Sequence, residues 1–358
     1  MIFHKKQEGS RMKEIKLSEA ENIKVNGRTV AGRDPLRLLW TGSSLELNVQ
    51  CTELWAEMAG PYSEQENWIA IEINGEILSR RMVSKEREWV CIFRNKLNTK
   101  PTRVRILKEV QAMNADEEHC LEIYSLKCDG ELLPVPEKKL KIEFIGDSIN
   151  SGEGSIGARG EEEWISLFFS HVNSYPYMTA KQLDADYRVF SQSGWGLYIS
   201  WDGNTRCAIP HYYEDICSVV PDKVFKPLGF FEKNDFGSWQ PDYICINLGT
   251  NDAGAMDNTG FEDTDKIRSA ACSFLRTIRK NNPGAYIIWG MGMLGDKTAE
   301  YIRAGMDDYK KDSGDEKVEY LELPPVTDAT VGARFHPGVK AHAAAADTIV
   351  SRIKELRA

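Results

Sequence analysis

With 358 residues the chain is long enough for two domains of ordinary size. Hydrophobic residues make up 42% and charged residues 28%, a balance that excludes disorder throughout. The net charge of -9 argues against a nucleic-acid or anionic-membrane partner, because both need a basic patch.

Residues 1–16 read MIFHKKQEGSRMKEIK, with His4 in the tail and no apolar stretch after the basic residues. That is not a signal-peptide pattern. Nor does the chain contain a run of about 18 apolar residues, so no membrane span is expected. The reading that follows is a cytoplasmic protein with reduced thiols; a signal removed from the natural chain would instead make it secreted. The cysteines, Cys51, Cys91, Cys120, Cys128, Cys207, Cys217, Cys245 and Cys272, are scattered without a CxxC pair. Zinc-ligand spacing is absent, and buried free thiols are expected.

Leu45, Leu47 and Val49 alternate with polar residues, as do Ile69, Ile71 and Ile73, which lead into Asn74-Gly75 and then Ile77-Leu78. Asn-Gly between two apolar runs predicts a tight hairpin, since both residues tolerate positive φ. Further strand-like runs lie at 89–93, 103–107 and 120–127, and helical periodicity is scarce. Residues 1–135 are therefore predicted to form an all-β domain, a two-sheet sandwich. A linker with Pro134, Pro136 and a charge cluster follows.

The grammar changes at residue 140. Strands are predicted over 140–145, 242–248 and 285–290, and helices over 174–184, 264–281 and 338–356. In the second helix Ile267, Ala271, Phe274, Leu275 and Ile278 fall at helical spacing. This alternation predicts an α/β domain over 140–358 with a parallel sheet, whose site forms at the carboxyl ends of the strands.

Four blocks there can carry chemistry. Gly146-Asp147-Ser148 follows the first strand, and a serine at a strand end presents its hydroxyl above the sheet. Asn251, in Leu248-Gly249-Thr250-Asn251-Asp252, ends the second predicted strand and could donate its amide to an oxyanion. Gly194, in Ser193-Gly194-Trp195-Gly196, lets a backbone N–H approach a ligand closely. His336-Pro337 precedes the last helix, and a neutral histidine is the usual activator of a serine. Of the other histidines, His119 belongs to the β region and His342 to the final helix. By placement His336 is the first candidate, with His171 and His211 in reserve. Each block alone is also an ordinary turn or surface element.

Together and in this order, Gly-Asp-Ser, Ser-Gly, Gly-Thr-Asn-Asp and His-Pro resemble the SGNH (GDSL-type) hydrolase superfamily. The sandwich, the Leu-Leu-Pro-x-Pro linker, Ile-Glu-Phe-Ile-Gly-Asp-Ser-Ile, Ser193 to Leu197 and Trp289-Gly-Met-Gly-Met293 are similar to carbohydrate esterase family 2. The resemblance implies a jelly-roll domain followed by a three-layer α/β/α hydrolase domain. It implies removal of acetyl groups from plant-polysaccharide sugars, with Ser148 as nucleophile and His336 as base. The Ser148 and Gly194 N–H groups and the Asn251 amide would form the oxyanion hole, and no metal or cofactor would be needed. The superfamily usually has Asp-x-x-His in its last block, but position 333 is alanine. That gap fits family 2, where a Ser-His dyad is oriented by a backbone carbonyl; Asp328 is the nearest alternative.

Trp195, Trp201, Trp239 and Trp289 are candidates to stack on a sugar, with Trp195 and Trp289 the expected substrate-binding pair. The expected partner is an acetylated oligosaccharide or polysaccharide; a homo-oligomer is compatible with the sequence. Competing readings are an SGNH lipase, thioesterase or other esterase on a non-sugar ester, or an inert carbohydrate-binding protein.

Overall fold

The structure, a computed structural model, describes residues 11–97 and 100–358. His4 and the rest of the first ten residues, on which the reading of the N-terminus draws, lie outside the described residues.

Up to residue 133 the described chain forms strands β1 (Lys13–Lys16), β2 (Ile23–Asn26), β3 (Leu36–Leu38), β4 (Ser44–Gln50), β5 (Leu54–Ala59), β6 (Trp68–Ile73), β7 (Glu76–Met82), β8 (Glu88–Phe93), β9 (Thr102–Lys108), β10 (Leu121–Cys128) and β11 (Glu131–Leu133). They pair antiparallel in two sheets, ordered β1-β10-β5-β8 and β11-β4-β9-β6-β7, with β3 beside β10 and β2 beside β4. Because side chains alternate faces along a strand, Leu47, Val49, Ile69 and Val104 of one sheet meet Ala56, Met58, Val90 and Ile123 of the other in a buried core. Between β6 and β7, Asn74 (φ 52°) and Gly75 (φ 86°) take the left-handed conformations a two-residue hairpin requires.

From residue 140 strands alternate with helices: β12 (Leu140–Gly146), α1 (Ser148–Ser151), α2 (Tyr175–Gln182), β13 (Ala185–Ser191), α3 (Asp222–Phe225), β14 (Tyr243–Asn247), α4 (Thr250–Asn258), α5 (Thr264–Asn281), β15 (Tyr286–Met291), α6 (Ala299–Ser313), β16 (Val318–Glu322) and α7 (Val339–Arg357). The strands form one parallel sheet, ordered β13-β12-β14-β15-β16. Residues of α2 and α7 pack with Ile142 and Phe144 on one face; residues of α5 and α6 pack with Ile246 and Trp289 on the other. The chain moves from β12 to one neighbour, β13, and then across to the other, β14. The carboxyl end of β12 is thus the switch point where α/β sheets open a crevice.

Strands β13 and β16 and helix α6 were not predicted from the sequence. Asp186 and Arg188 interrupt the apolar pattern of β13 for a physical reason. This edge strand lies against the antiparallel part, where Asp186 receives Lys24 of β2 at 2.5 Å.

The two parts are joined through their interiors. Leu39, Trp40, Ala112 and Cys120 lie in the same buried cluster as Ile145, Phe190 and Trp289. The Trp40 indole donates to the Ile216 carbonyl at 2.7 Å. Buried Arg28 pairs with Glu143 of β12 at 2.8 Å, donates to the Tyr213 carbonyl, and lies over the rings of Phe190 and Tyr213. All eight cysteines are free thiols, and six are buried.

Candidate active site

Ser148 is the first residue of α1, immediately past β12, and its side chain is nearly buried. Gly146 is required there by crowding, since a Cβ would lie 2.2 Å from Asn150 Oδ1. Asp147 caps the short helix, its Oδ1 accepting from the Ile149 N–H at 3.0 Å. Burial, with the nearby charges of Asp252 and Glu153 adding to it, pushes the Asp147 carboxyl up to about 7.

His336 reaches Ser148 from the far end of the chain: its Nε2 is 2.8 Å from Ser148 Oγ. The other ring nitrogen, Nδ1, is 2.8 Å from the Arg334 carbonyl oxygen. A carbonyl only accepts, so Nδ1 carries the proton and Nε2 presents its lone pair to the serine hydroxyl. Asp328 does not take part; its carboxylate is 88% exposed and pairs with Arg159 at 2.9 Å.

The Arg334 carbonyl is aimed by an unusual backbone. Arg334 (φ 53°) and Phe335 (φ 57°) are consecutive non-glycine residues in the left-handed region, a conformation that persists only when its surroundings impose it. Here they do. The Arg334 N–H donates to Glu161 O at 2.7 Å, its Nε to Glu153 Oε1 at 2.7 Å and its Nη1 to Glu162 O at 2.6 Å. Next to it, the Ala333 N–H donates to Gly154 O at 3.0 Å. Gly154 must be glycine, because a Cβ would lie 2.7 Å from His336 Cβ. The Glu153 carboxylate is also 3.9 Å from His336 Nε2.

Gly194 and Asn251 follow β13 and β14 and line the same cavity of about 500 Å³ as Ser148 and His336. Gly194 has φ 78°. Neither its N–H nor that of Ser148 finds an acceptor among the described residues. Buried backbone donors are almost always paired, so two open ones at one cavity mark a place for an anionic oxygen. The Asn251 amide is held in the wall by donating to Trp195 O at 2.9 Å and, more loosely, to Asp147 Oδ2 at 3.2 Å. Asp252 accepts from the Leu197, Tyr198 and Ile199 N–H groups and so fixes the loop after Gly194.

Two sequence expectations need correction. Trp195 and Trp289 do not face the cavity. The Trp195 ring is turned into the core against Tyr212, at 4.8 Å between centroids, and only its carbonyl serves the site. Trp289 lies on the interior strand β15, fully buried, with its indole N–H spent on Leu248 O at 3.1 Å. Trp239 lies beneath the Arg188 guanidinium, away from Ser148. The tryptophans that line the cavity are Trp201, which is half exposed, and Trp164. The reserve histidines lie elsewhere. His171 is buried against the Tyr187 hydroxyl and pushed down to about 3, by burial first and then by Arg105; His211 is on an exposed turn.

Sequence reasoning also missed Gln111, Asn114, Glu153, Gln192 and Arg334 in the cavity wall. No spacing marks them, because they come from irregular segments of both parts of the chain.

The model of the GDSL-like lipase/acylhydrolase family matches residues 142–349. Among solved structures, an acetyl xylan esterase from the rumen bacterium Butyrivibrio proteoclasticus is 38% identical with a TM-score of 0.93, the match covering 96% of this chain and 99% of that one. A family two carbohydrate esterase from Clostridium thermocellum, in complex with cellohexaose, is 26% identical with a TM-score of 0.80, covering 94% and 99% of the two chains. The cellulase/esterase CelE of Acetivibrio thermocellus is 28% identical over 327 residues, 88% of this chain, but this match spans only 37% of that longer protein. With its strand-end serine, its late histidine and its antiparallel N-terminal sheets, this chain belongs to the GDSL-like lipase/acylhydrolases and, among them, to the family 2 carbohydrate esterases.

Proposed function

We propose that the protein removes O-acetyl groups from plant-polysaccharide sugars, of the acetylated xylan type, through Ser148 and His336. One observation carries the reading: the hydrogen-bonded series Arg334 C=O, His336, Ser148 ends at a cavity into which two unengaged N–H groups open.

In this mechanism His336 Nε2 takes the Ser148 proton as Oγ attacks the acetyl carbonyl. The tetrahedral oxyanion is held by the Ser148 and Gly194 N–H groups and by the Asn251 amide, which exchanges its longer bond to Asp147 Oδ2 for the oxyanion and keeps the one to Trp195 O. The imidazolium then gives its proton to the departing sugar oxygen. Water, deprotonated by the same nitrogen, attacks the acetyl-enzyme, releasing acetate and restoring Ser148. Nδ1 keeps its proton throughout and donates it in a hydrogen bond to the Arg334 carbonyl, so a fixed dipole does the orienting that a carboxylate does in a triad. The Glu153 carboxylate adds a negative charge near the imidazolium.

The wall favours a sugar over a long acyl chain. Gln111, Asn114, Ser193 and Glu153 offer polar groups, while Trp164 and Trp201 offer flat apolar faces. A sugar presents that same combination of hydroxyls and C–H surface. The test is acetate release from acetylated xylo-oligosaccharides by the wild type and by Ser148→Ala. Wild-type turnover that falls by about four orders of magnitude or more in the variant is expected. Comparable acetate release by a folded Ser148→Ala would refute the nucleophile. Preference for long acyl chains over acetyl on aryl esters would refute the substrate class.

A further inference from the structure

Gln111 lies three residues past β9, in the antiparallel part of the chain, yet it lines the cavity that holds Ser148. Its backbone is braced by Lys108, a fully buried lysine whose Nζ donates to Val110 O at 2.7 Å and Gln111 O at 3.0 Å. Its side-chain oxygen is heavily used. Oε1 accepts from the Ser193 N–H at 2.8 Å, from Ser193 Oγ at 2.9 Å and from Ser151 Oγ at 2.9 Å.

These contacts decide which way the amide faces. A backbone N–H can only donate, so the end of Gln111 turned to Ser193 must be the carbonyl oxygen, and the amide cannot be flipped. The NH₂ group then points away from that clasp. Nε2 has no acceptor among the described residues, and it is not one of the unpartnered polar atoms sealed in the interior. The space left to it is the cavity that Gln111 lines. The result is a rigid donor pair whose orientation is set by three bonds on the opposite side of the amide. An arrangement of this kind discriminates well, because no reorganisation is needed to use it.

We propose that Gln111 Nε2 is a substrate-binding donor that hydrogen-bonds an oxygen of the sugar bearing the acetyl group. The inference rests on the acetyl-sugar reading above. The oxyanion already has three donors in Ser148, Gly194 and Asn251. The acceptors that remain on such a substrate are the hydroxyl and ring oxygens of its alcohol part. Asn114, three residues on, lies in the same wall, its Oδ1 accepting from Gln192 Nε2 at 3.4 Å. The antiparallel part would therefore help to select the alcohol of the ester, while the parallel-sheet part performs the acyl transfer.

The readout is a ratio: kcat/KM for an acetylated xylo-oligosaccharide divided by kcat/KM for 4-nitrophenyl acetate, whose leaving group has no sugar oxygens. Gln111→Glu keeps an acceptor for Ser151 and Ser193 and loses the donor; Gln111→Met loses both. A disturbance of the nucleophile or the oxyanion donors enters both substrates alike, Gln111→Met shows the loss without the added charge of Gln111→Glu, and turnover of the aryl ester certifies the fold. The ratio is expected to fall about tenfold in each variant, the loss of one substrate hydrogen bond. A ratio within twofold of wild type in both variants overturns the proposal while leaving the esterase reading intact. A wild type that deacetylates no sugar overturns the substrate reading and this proposal with it.

Discussion

The two halves of the Ser148–His336 pair are held in contrasting ways. Ser148, Gly194 and Asn251 each follow a strand of one parallel sheet, so the register of β12, β13 and β14 brings them to the same edge. His336 has no such support. It hangs on a segment with two left-handed non-glycine residues, pinned from outside by Glu153, Gly154, Glu161 and Glu162. A nucleophile and its oxyanion donors can be positioned by regular secondary structure. A base oriented by a main-chain carbonyl needs a purpose-shaped loop, because the acceptor is aimed by φ and ψ rather than by a rotamer.

The comparison can be tested first on the sheet side. Asn251→Ala should lower kcat by roughly a hundredfold to a thousandfold, with little change in KM, as loss of one oxyanion donor does. A drop of less than about fivefold would mean that the two backbone N–H groups suffice.

On the loop side, Arg334→Ala removes the Nε–Glu153 and Nη1–Glu162 bonds while leaving the carbonyl in the chain. If those bonds hold the carbonyl under His336, kcat should fall by about tenfold to a hundredfold through misorientation. Arg334→Lys should recover little of it, since lysine cannot reproduce the fork. Unchanged kcat would show that the Arg334 and Ala333 N–H bonds are enough.

A third test concerns Lys108, which braces the backbone of Val110 and Gln111. Burial pushes the Lys108 amine down to about 7 from its ordinary 10.5. Between those values the unfolded chain binds a proton that the folded chain does not, so this group makes stability rise with pH, by up to about 1.4 kcal/mol per pH unit. Its contribution is lost as pH falls through the folded value. Denaturant melts of wild type and Lys108→Met from pH 7 to 10 should differ in that slope; parallel curves would place a charged lysine in the interior.

The smallest effect belongs to Asp328→Ala. Its exposed pair with Arg159 should contribute almost nothing, and kcat should stay within about twofold of wild type. A hundredfold loss would reinstate a carboxylate as the orienting group.

What the sequence disclosed follows the same division. The Asn74-Gly75 hairpin, the strand ahead of Ser148 and the helix of Ile267 to Ile278 were legible, because each is a local pattern with a local cause. Ser148, Gly194, Asn251 and His336 could be read as blocks of one site by their order along the chain. The Ala333 substitution even pointed to a carbonyl. Yet nothing in Gly332-Ala333-Arg334-Phe335 announces left-handed residues, since neither Arg nor Phe favours them. Trp195 misled because adjacency to Gly194 was taken as proximity of its side chain, when the chain turns at left-handed Gly194 and the next ring packs into the core against Tyr212. Gln111 and Trp164 were invisible for want of any periodicity.

The Arg28–Glu143 pair and the interior shared by Trp40 and Trp289 bear on how such an enzyme can be inherited. A sandwich attached by a flexible tether can be gained, lost or exchanged by recombination as a cassette. This one cannot: cutting near residue 135 would strand a buried guanidinium on one fragment and its carboxylate on the other. It would also open an apolar face on each. The sandwich and the hydrolase therefore behave as one unit, each completing the interior of the other.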